Sequence, residues 1–435
     1  MLYYLTRPLA RLTLGTFFRK IYLSHRERIP RDQPVILAAN HPTAFMEPCI
    51  LACWLKDPLH FVVRGDIFAK PFYARILRSL HMIAFYRMKD GGFSKIKNNY
   101  ESFSAAESVL RARQPILILA EGRTIHEKRL RPLRKGAARL ALGTADQHAD
   151  LDVVIVPVGV NYTYADRFRS EVMIEFGEPL RVRDYLDSFR EQNNQGILQL
   201  TEALRAELEK RVVIIERAED EALTERLFQL YRHDHPEKGW PVVEENDRRV
   251  QAERELASWV NALPEPEKDR LRRLVADYWT ALHSARLSDL GLQQPERFNL
   301  LATFLLLAGF PLAILGYFLN LLPARLAKYI GDTRVRYLEF RASVVAAVGM
   351  LAYLLYYSLA MLVGGIIWGW IAVPLVLTWP PLGYLFLLWR ERYVGWKEAL
   401  KVRLADRQET GQLREMREAI AALVWPGRSA DPQQR

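Results

Sequence analysis

PVILAANHPTAFMEPCILACWL, residues 34–55, decides how this chain reads. PVILAA is a short apolar run rich in branched residues, which predicts a strand. With no polar alternation, both faces of that strand must be covered, as in a parallel sheet. Asn40, His41 and Pro42 interrupt the run, and CILACWL (49–55) then reads as an apolar helix. Further runs repeat the strand signal: LHFVV (59–63), MIAFY (82–86), PILILA (115–120), VVIVPVGVNY (153–162) and VMIEFG (172–177). Helix-like stretches, such as residues 93–113 and 135–147, fall between them. Strands alternating with helices predict an α/β domain with a mostly parallel central sheet.

In such sheets, sites form outside the carboxyl ends of strands, and three strand ends carry usable chemistry. His41 closes the first. Glu47, six residues later, falls in the first turn of the next helix. From there a carboxylate can turn back and fix the imidazole tautomer, leaving His41 to act as a general base. A surface His beside a Glu favoured by the helix dipole fits the same residues. Arg87 in FYRMKDGG (85–92) ends the second strand and, alone, reads equally as a surface arginine. The third strand ends in AEGRT (120–124), which carries Glu121 and Arg123. Arg123, Lys128, Arg129, Arg131, Arg134, Lys135 and Arg139 then lead into a helix with Gly136 in its first turn. A basic loop at a helix start can hold phosphate. A solvated basic face is the alternative.

The order of NHPTAFMEP (40–48), YRMKDG (86–91), AEGRT followed by RLRPLRKGAARLA, and VVIVPVGVNY resembles the glycerophospholipid acyltransferases. The resemblance covers roughly residues 33–180. The apolar segments that follow are similar to those of the branch acylating glycerol 3-phosphate or dihydroxyacetone phosphate. It implies His41 as catalytic base and Glu47 as its acidic partner, one residue later than in the commonest His-x4-Asp pattern. It implies Arg87, Glu121 and Gly122 at the acceptor site, with Arg123 standing where the family has Thr. Arg131, Arg134 and Lys135 are further candidates for holding phosphate, and Pro157 matches a proline associated with the acyl-donor side. The implied reaction is direct attack of an acceptor hydroxyl on an acyl thioester, carried by CoA or acyl carrier protein. No metal or other cofactor is required. A 1-acylglycerol-3-phosphate acyltransferase and an inactive membrane scaffold are the alternatives.

Composition supports an anionic partner. The 435 residues carry 61 Lys plus Arg against 50 Asp plus Glu, a net charge of +11. A nucleic-acid binder would need aromatic residues interleaved with the basic stretch, and none are. Two cysteines, Cys49 and Cys53, allow neither a disulfide framework nor a cysteine zinc site. They read as one face of a buried helix.

Residues 298–324 and 342–389 contain no charge, and about 20 apolar residues span a bilayer. The second run is long enough for two passes, with Gly364 and Gly365 as the natural turn. Lys and Arg flank both runs, and positive flanks prefer the cytoplasm. The expected organisation is therefore fivefold. Residues 1–32 form an amphipathic membrane-associated helix, and 33–182 the catalytic domain facing the cytoplasm. Residues 183–298 form a charged helical region whose His233 and His235 lie in a solvated turn. Residues 299–389 are membrane segments (299–322 re-entrant or spanning, 343–389 a hairpin). Residues 390–435 are a basic tail.

Overall fold

The computed structural model describes residues 2–86 and 98–425. The chain forms two compact units. The first contains residues up to Ile214, Trp240–Arg254 and Arg325–Leu354, and the second contains the remainder.

The first unit is built on a nine-stranded sheet. Its strands are β1 (Lys20–Ser24), β2 (Val35–Ala39), β3 (His60–Arg64), β4 (Met82–Phe85), β5 (Ile116–Leu119), β6 (Val154–Tyr162), β7 (Glu171–Phe176), β8 (Leu180–Arg181) and β9 (Val243–Glu244). The spatial order is β4-β3-β5-β2-β6-β7-β1-β9, with β8 also on β6. Pairing is parallel except where β6 meets β7 and β8.

The period of two along β2 sorts its side chains between two cores. Val35, Leu37 and Ala39 join one with residues of helices α1 (Leu2–Phe17) and α2 (Met46–Trp54). Ile36 and Ala38 join the other. That second core also takes residues of α4 (Asn98–Arg111), α5 (Gly136–Gln147) and α7 (Asn193–Glu209). Helices α3 (Pro71–Ser79) and α6 (Leu186–Glu191) complete the unit's short elements. The six apolar runs read from sequence are β2 to β7.

The amphipathic helix expected over 1–32 stops at Phe17. Residues 20–24 instead form β1, a fully buried strand between β7 and β9. Lys20 hides this in the sequence. It is wholly buried, and its Nζ donates to the Pro241 carbonyl at 2.7 Å and to the Glu244 carboxylate. The 33–182 boundary is likewise too narrow, because β1, β9 and the start of α13 (Leu338–Trp368) belong to this unit.

The 183–298 region is not one body. Its α6 and α7 lie in the first unit. In the second unit, α8 (Glu221–Asp234), α10 (Glu265–Ser284), α11 (Asp289–Gln293) and α16 (Arg407–Val424) share a buried polar network. Asp289 accepts from Tyr278 at 2.5 Å and Arg417 at 2.7 Å, and lies 2.6 Å from His233. Arg417 also donates to Asp234 at 2.7 Å. His233 therefore belongs to an interior ion-pair cluster, where a solvated turn was expected.

The apolar segments also differ from expectation. Helix α12 (Leu300–Thr333) runs unbroken through Gly309 and Pro311, with no re-entrant dip, and is compatible with the spanning alternative. At ~1.5 Å per residue its length exceeds the ~30 Å apolar core of a bilayer. Helix α13 passes through Gly364 and Gly365 and ends at Trp368. The bend falls at Gly369, whose φ of +64° is cheap only for glycine. After the short α14 (Ala372–Leu377), Pro380 and Pro381 open α15 (Trp379–Leu404), where missing N–H groups cost nothing. The supposed tail is helical: α15 continues through the basic residues, and Asp406 caps α16 by accepting from Gln408 and Glu409. The stretches 300–333 and 338–404 are long and apolar enough to cross a membrane, each containing 18 consecutive residues with a mean hydropathy of 2.1.

Candidate active site

The site starts where β2 ends. The Asn40 side chain extends the β2–β6 ladder, donating to the Val160 carbonyl at 2.9 Å and accepting from the Val160 amide at 2.7 Å. The chain then turns through residues 41–45 into α2. Phe45 enters the helix with φ of +68°, a conformation uncommon for a bulky residue.

Glu47 is completely buried in the first turn of α2. Its Oε1 accepts from the Thr43 amide at 2.6 Å and the Thr43 hydroxyl at 2.9 Å. Its Oε2 faces His41 Nδ1 at 3.8 Å, and both atoms are buried with no hydrogen-bond partner of their own. A shift of under ~1 Å would bring them to hydrogen-bond distance. Catalytic hydrogen bonds are often long without substrate. Tyr162 is buried nearby, and its phenol is pushed well above its ordinary pKa by burial first and the Glu47 charge second.

The other imidazole nitrogen, Nε2, lies 2.7 Å from the Thr124 hydroxyl. With Nδ1 protonated toward Glu47, Nε2 accepts and Thr124 donates. A general base needs that same tautomer.

Glu121 joins the two loops. It is 6% exposed. One oxygen accepts from the His41 amide at 2.8 Å and the other from the Arg131 amide at 2.9 Å. Its carboxylate thus aligns backbone, where substrate contact was expected. Burial raises its pKa, and the two amide bonds and neighbouring positive charge lower it in part. The native state therefore keeps a proton that the unfolded chain releases sooner. The stability tied to Glu121 declines as pH rises through the usual carboxylate range to the raised native value. Glutamine offers one oxygen and turns an NH2 toward the other amide. Glu121→Gln is expected to remove that pH dependence and lower acyl transfer about tenfold through loop misplacement. Thermal unfolding across pH 4–8 and initial rates check this.

Gly122 is required by backbone geometry. Its φ is +65°, and a Cβ would lie 2.8 Å from Arg134 Cγ. Arg123, Arg134 and Lys135 are exposed around this turn, whereas Arg131 is paired with Glu127 at 2.9 Å. Arg87 lies outside the described residues. Pro157 is buried in β6, in register with Ala38, and does not join the loop cluster. It sits where β6 changes partner from β8 to β7, a place that suits a residue with no N–H to give. Cys53 is buried and Cys49 exposed on α2, so only one thiol fits the expected buried face.

The structure thus gathers His41, Glu47, Glu121 and Thr124 at the ends of β2 and β5. Sequence reasoning placed Thr124 only where the family pattern has Arg, and gave neither it nor Asn40 a role beside His41. Both flank the quoted motifs, but pairing across β2, β5 and β6 is needed to see their roles.

The acyltransferase family model matches residues 20–161. Glycerol-3-phosphate O-acyltransferase 1 of Saccharomyces cerevisiae is 30% identical over 137 residues, covering 31% of this chain and 18% of the yeast protein. Glycerol-3-phosphate O-acyltransferase 2 of the same yeast is 28% identical over 202 residues, covering 44% of this chain and 25% of its own. The match thus spans a quarter or less of these curated relatives. Among solved structures, the 1-acyl-sn-glycerophosphate acyltransferase of Thermotoga maritima aligns over 47% of this chain and 80% of its own, at 16% identity and a TM-score of 0.31. The motif residues assembled at one sheet end thus lie within or beside residues 20–161, the stretch that matches the acyltransferase family model and is similar to the yeast glycerol-3-phosphate O-acyltransferases.

Proposed function

We propose that the protein transfers a fatty acyl group from a thioester, on CoA or acyl carrier protein, to glycerol 3-phosphate or dihydroxyacetone phosphate. The observation that carries this reading is the state of His41: Nδ1 turned to a buried carboxylate and Nε2 2.7 Å from a hydroxyl. The names of the yeast relatives support the acceptor.

In this mechanism the acceptor hydroxyl takes the place of the Thr124 hydroxyl at Nε2. His41 removes its proton, and the Glu47 carboxylate stabilises the imidazolium. The acceptor oxygen attacks the thioester carbonyl. As the tetrahedral intermediate collapses, the C–S bond breaks and the thiol leaves with the imidazolium proton. The exposed Arg123, Arg134 and Lys135, together with Arg87, are the side chains offered to the acceptor phosphate. Holding both substrates in line supplies much of the acceleration.

The long apolar helices support membrane attachment, and the flanking Arg325, Lys328, Arg390 and Arg392 support a cytoplasmic placement of those flanks. An apolar product and an anionic head group both suit that position.

Membranes containing the protein, supplied with labelled glycerol 3-phosphate, dihydroxyacetone phosphate or 1-acylglycerol 3-phosphate and an acyl-CoA or acyl carrier protein donor, test the assignment. Acylation of the first or second acceptor, at least tenfold faster than of the third, is expected. Preference for 1-acylglycerol 3-phosphate would replace it with the second acylation.

A further inference from the structure

The turn that carries His41 is held from far along the chain. The Ala44 amide donates to the Glu339 carbonyl at 3.0 Å. The Ala44 carbonyl accepts from the Ser343 hydroxyl. Both polar groups of one residue, midway between His41 and Glu47, are thus bound by the first turns of α13. The Phe45 and Phe340 rings meet edge to face, with centroids 6.3 Å apart. Ala342 and Ala346, one turn apart on α13, are buried in the same core as Met46 and Ile50 of α2. Small residues there allow α13 to approach closely. All of these residues belong to the first unit.

A turn of this length cannot satisfy its own backbone. Neither a strand nor α2 supplies partners for Ala44, and Phe45 is in the left-handed region. Something outside the loop must fix it, because Glu47 has to face the imidazole within about half an ångström for the pair to work.

We propose that the start of α13 is a clamp for the catalytic loop and that Ser343 is a positioning residue for His41. The helix that begins the second apolar stretch thereby sets the geometry of the base at its root. This rests on the acyl-transfer reading above and adds to it a residue that touches neither substrate.

Full-length protein in lipid vesicles is assayed as wild type, Ser343→Ala, Ser343→Thr, Phe340→Ala and His41→Ala, with thermal unfolding measured alongside. One side-chain hydrogen bond is worth about a fivefold change in an equilibrium. Ser343→Ala is expected to lower kcat about fivefold or more, with KM for acyl-CoA and glycerol 3-phosphate within twofold of wild type. Ser343→Thr, which keeps the hydroxyl, restores most of the rate. Phe340→Ala loosens the same turn without touching the hydroxyl and lowers kcat in the same way, so it decides the matter if Ser343→Ala does not fold. The clamp is overturned if kcat per folded protein stays within twofold of wild type in both variants, or if Ser343→Thr is no better than Ser343→Ala. A fully active His41→Ala protein overturns the acyl-transfer reading instead. An inactive His41→Ala beside unaffected Ser343 and Phe340 variants overturns the clamp alone.

Discussion

Replacing His41 with alanine is expected to lower acyl transfer at least ~100-fold, the usual contribution of a positioned general base. Without the imidazole, nothing at the end of β2 can take the acceptor's proton, because Glu47 is wholly buried and Glu121 is committed to two backbone amides. The fold should survive. The ring is largely enclosed but is not part of either apolar core, and Glu121 grips the backbone amide of residue 41, which alanine keeps. Initial rates at saturating donor and acceptor, normalised to folded protein, check this. A rate within tenfold of wild type would remove His41 from the chemistry.

Glu47→Gln is expected to be nearly as severe, between about 100-fold and 10,000-fold, for a reason of proton placement. Thr43 presents two donors, its amide and its hydroxyl, to Glu47 Oε1. A glutamine in this cavity must therefore put its oxygen toward Thr43 and its NH2 toward His41 Nδ1. That NH2 donates, so Nδ1 must accept and the ring proton moves to Nε2. A protonated Nε2 cannot remove a proton from the acceptor. The loss should fall on kcat, with thermal stability little changed because the side chain keeps its volume. Rates within twofold of wild type in both Glu47→Gln and Glu47→Ala would mean that the carboxylate is only a helix-start contact. Together with an active His41→Ala protein, that result would favour a scaffold.

The sheet was legible because β2, β5, β6 and β7 are buried on both faces and so are written as apolar runs, while the half-buried β3 and β4 keep short apolar runs of their own. Strands β1 and β9 were not. KIYLS begins with a charge whose partners lie more than 200 residues away, at Pro241 and Glu244, and β9 is two residues long. The His41–Glu47 pairing was readable from spacing, since a helix start brings its first-turn carboxylate back over the preceding loop. Glu121 was found as a residue but not in its role. A carboxylate on a strand end looks the same whether it meets substrate or backbone amides, and only the adjacency of β2 and β5 decides. His233 illustrates the converse, because a histidine in a His-Asp-His-Pro stretch reads as surface until Asp289 folds onto it, while His235, next to Pro236, stays exposed as expected. The turn was misplaced because the paired glycines 364 and 365 are the stronger local signal, whereas the helix runs through them to Trp368 and the positive φ falls at Gly369.

The order in which the first unit's pieces leave the ribosome has a consequence for biogenesis. Its sheet needs residues 243–244 beside β1, and its core needs Ala342 and Ala346, yet the apolar helix 300–333 is translated between those two contributions. The first unit cannot complete its sheet and core until that helix has been synthesised. A chain ending at residue 161 would lack both contributions, and one ending at residue 298 would lack Ala342 and Ala346.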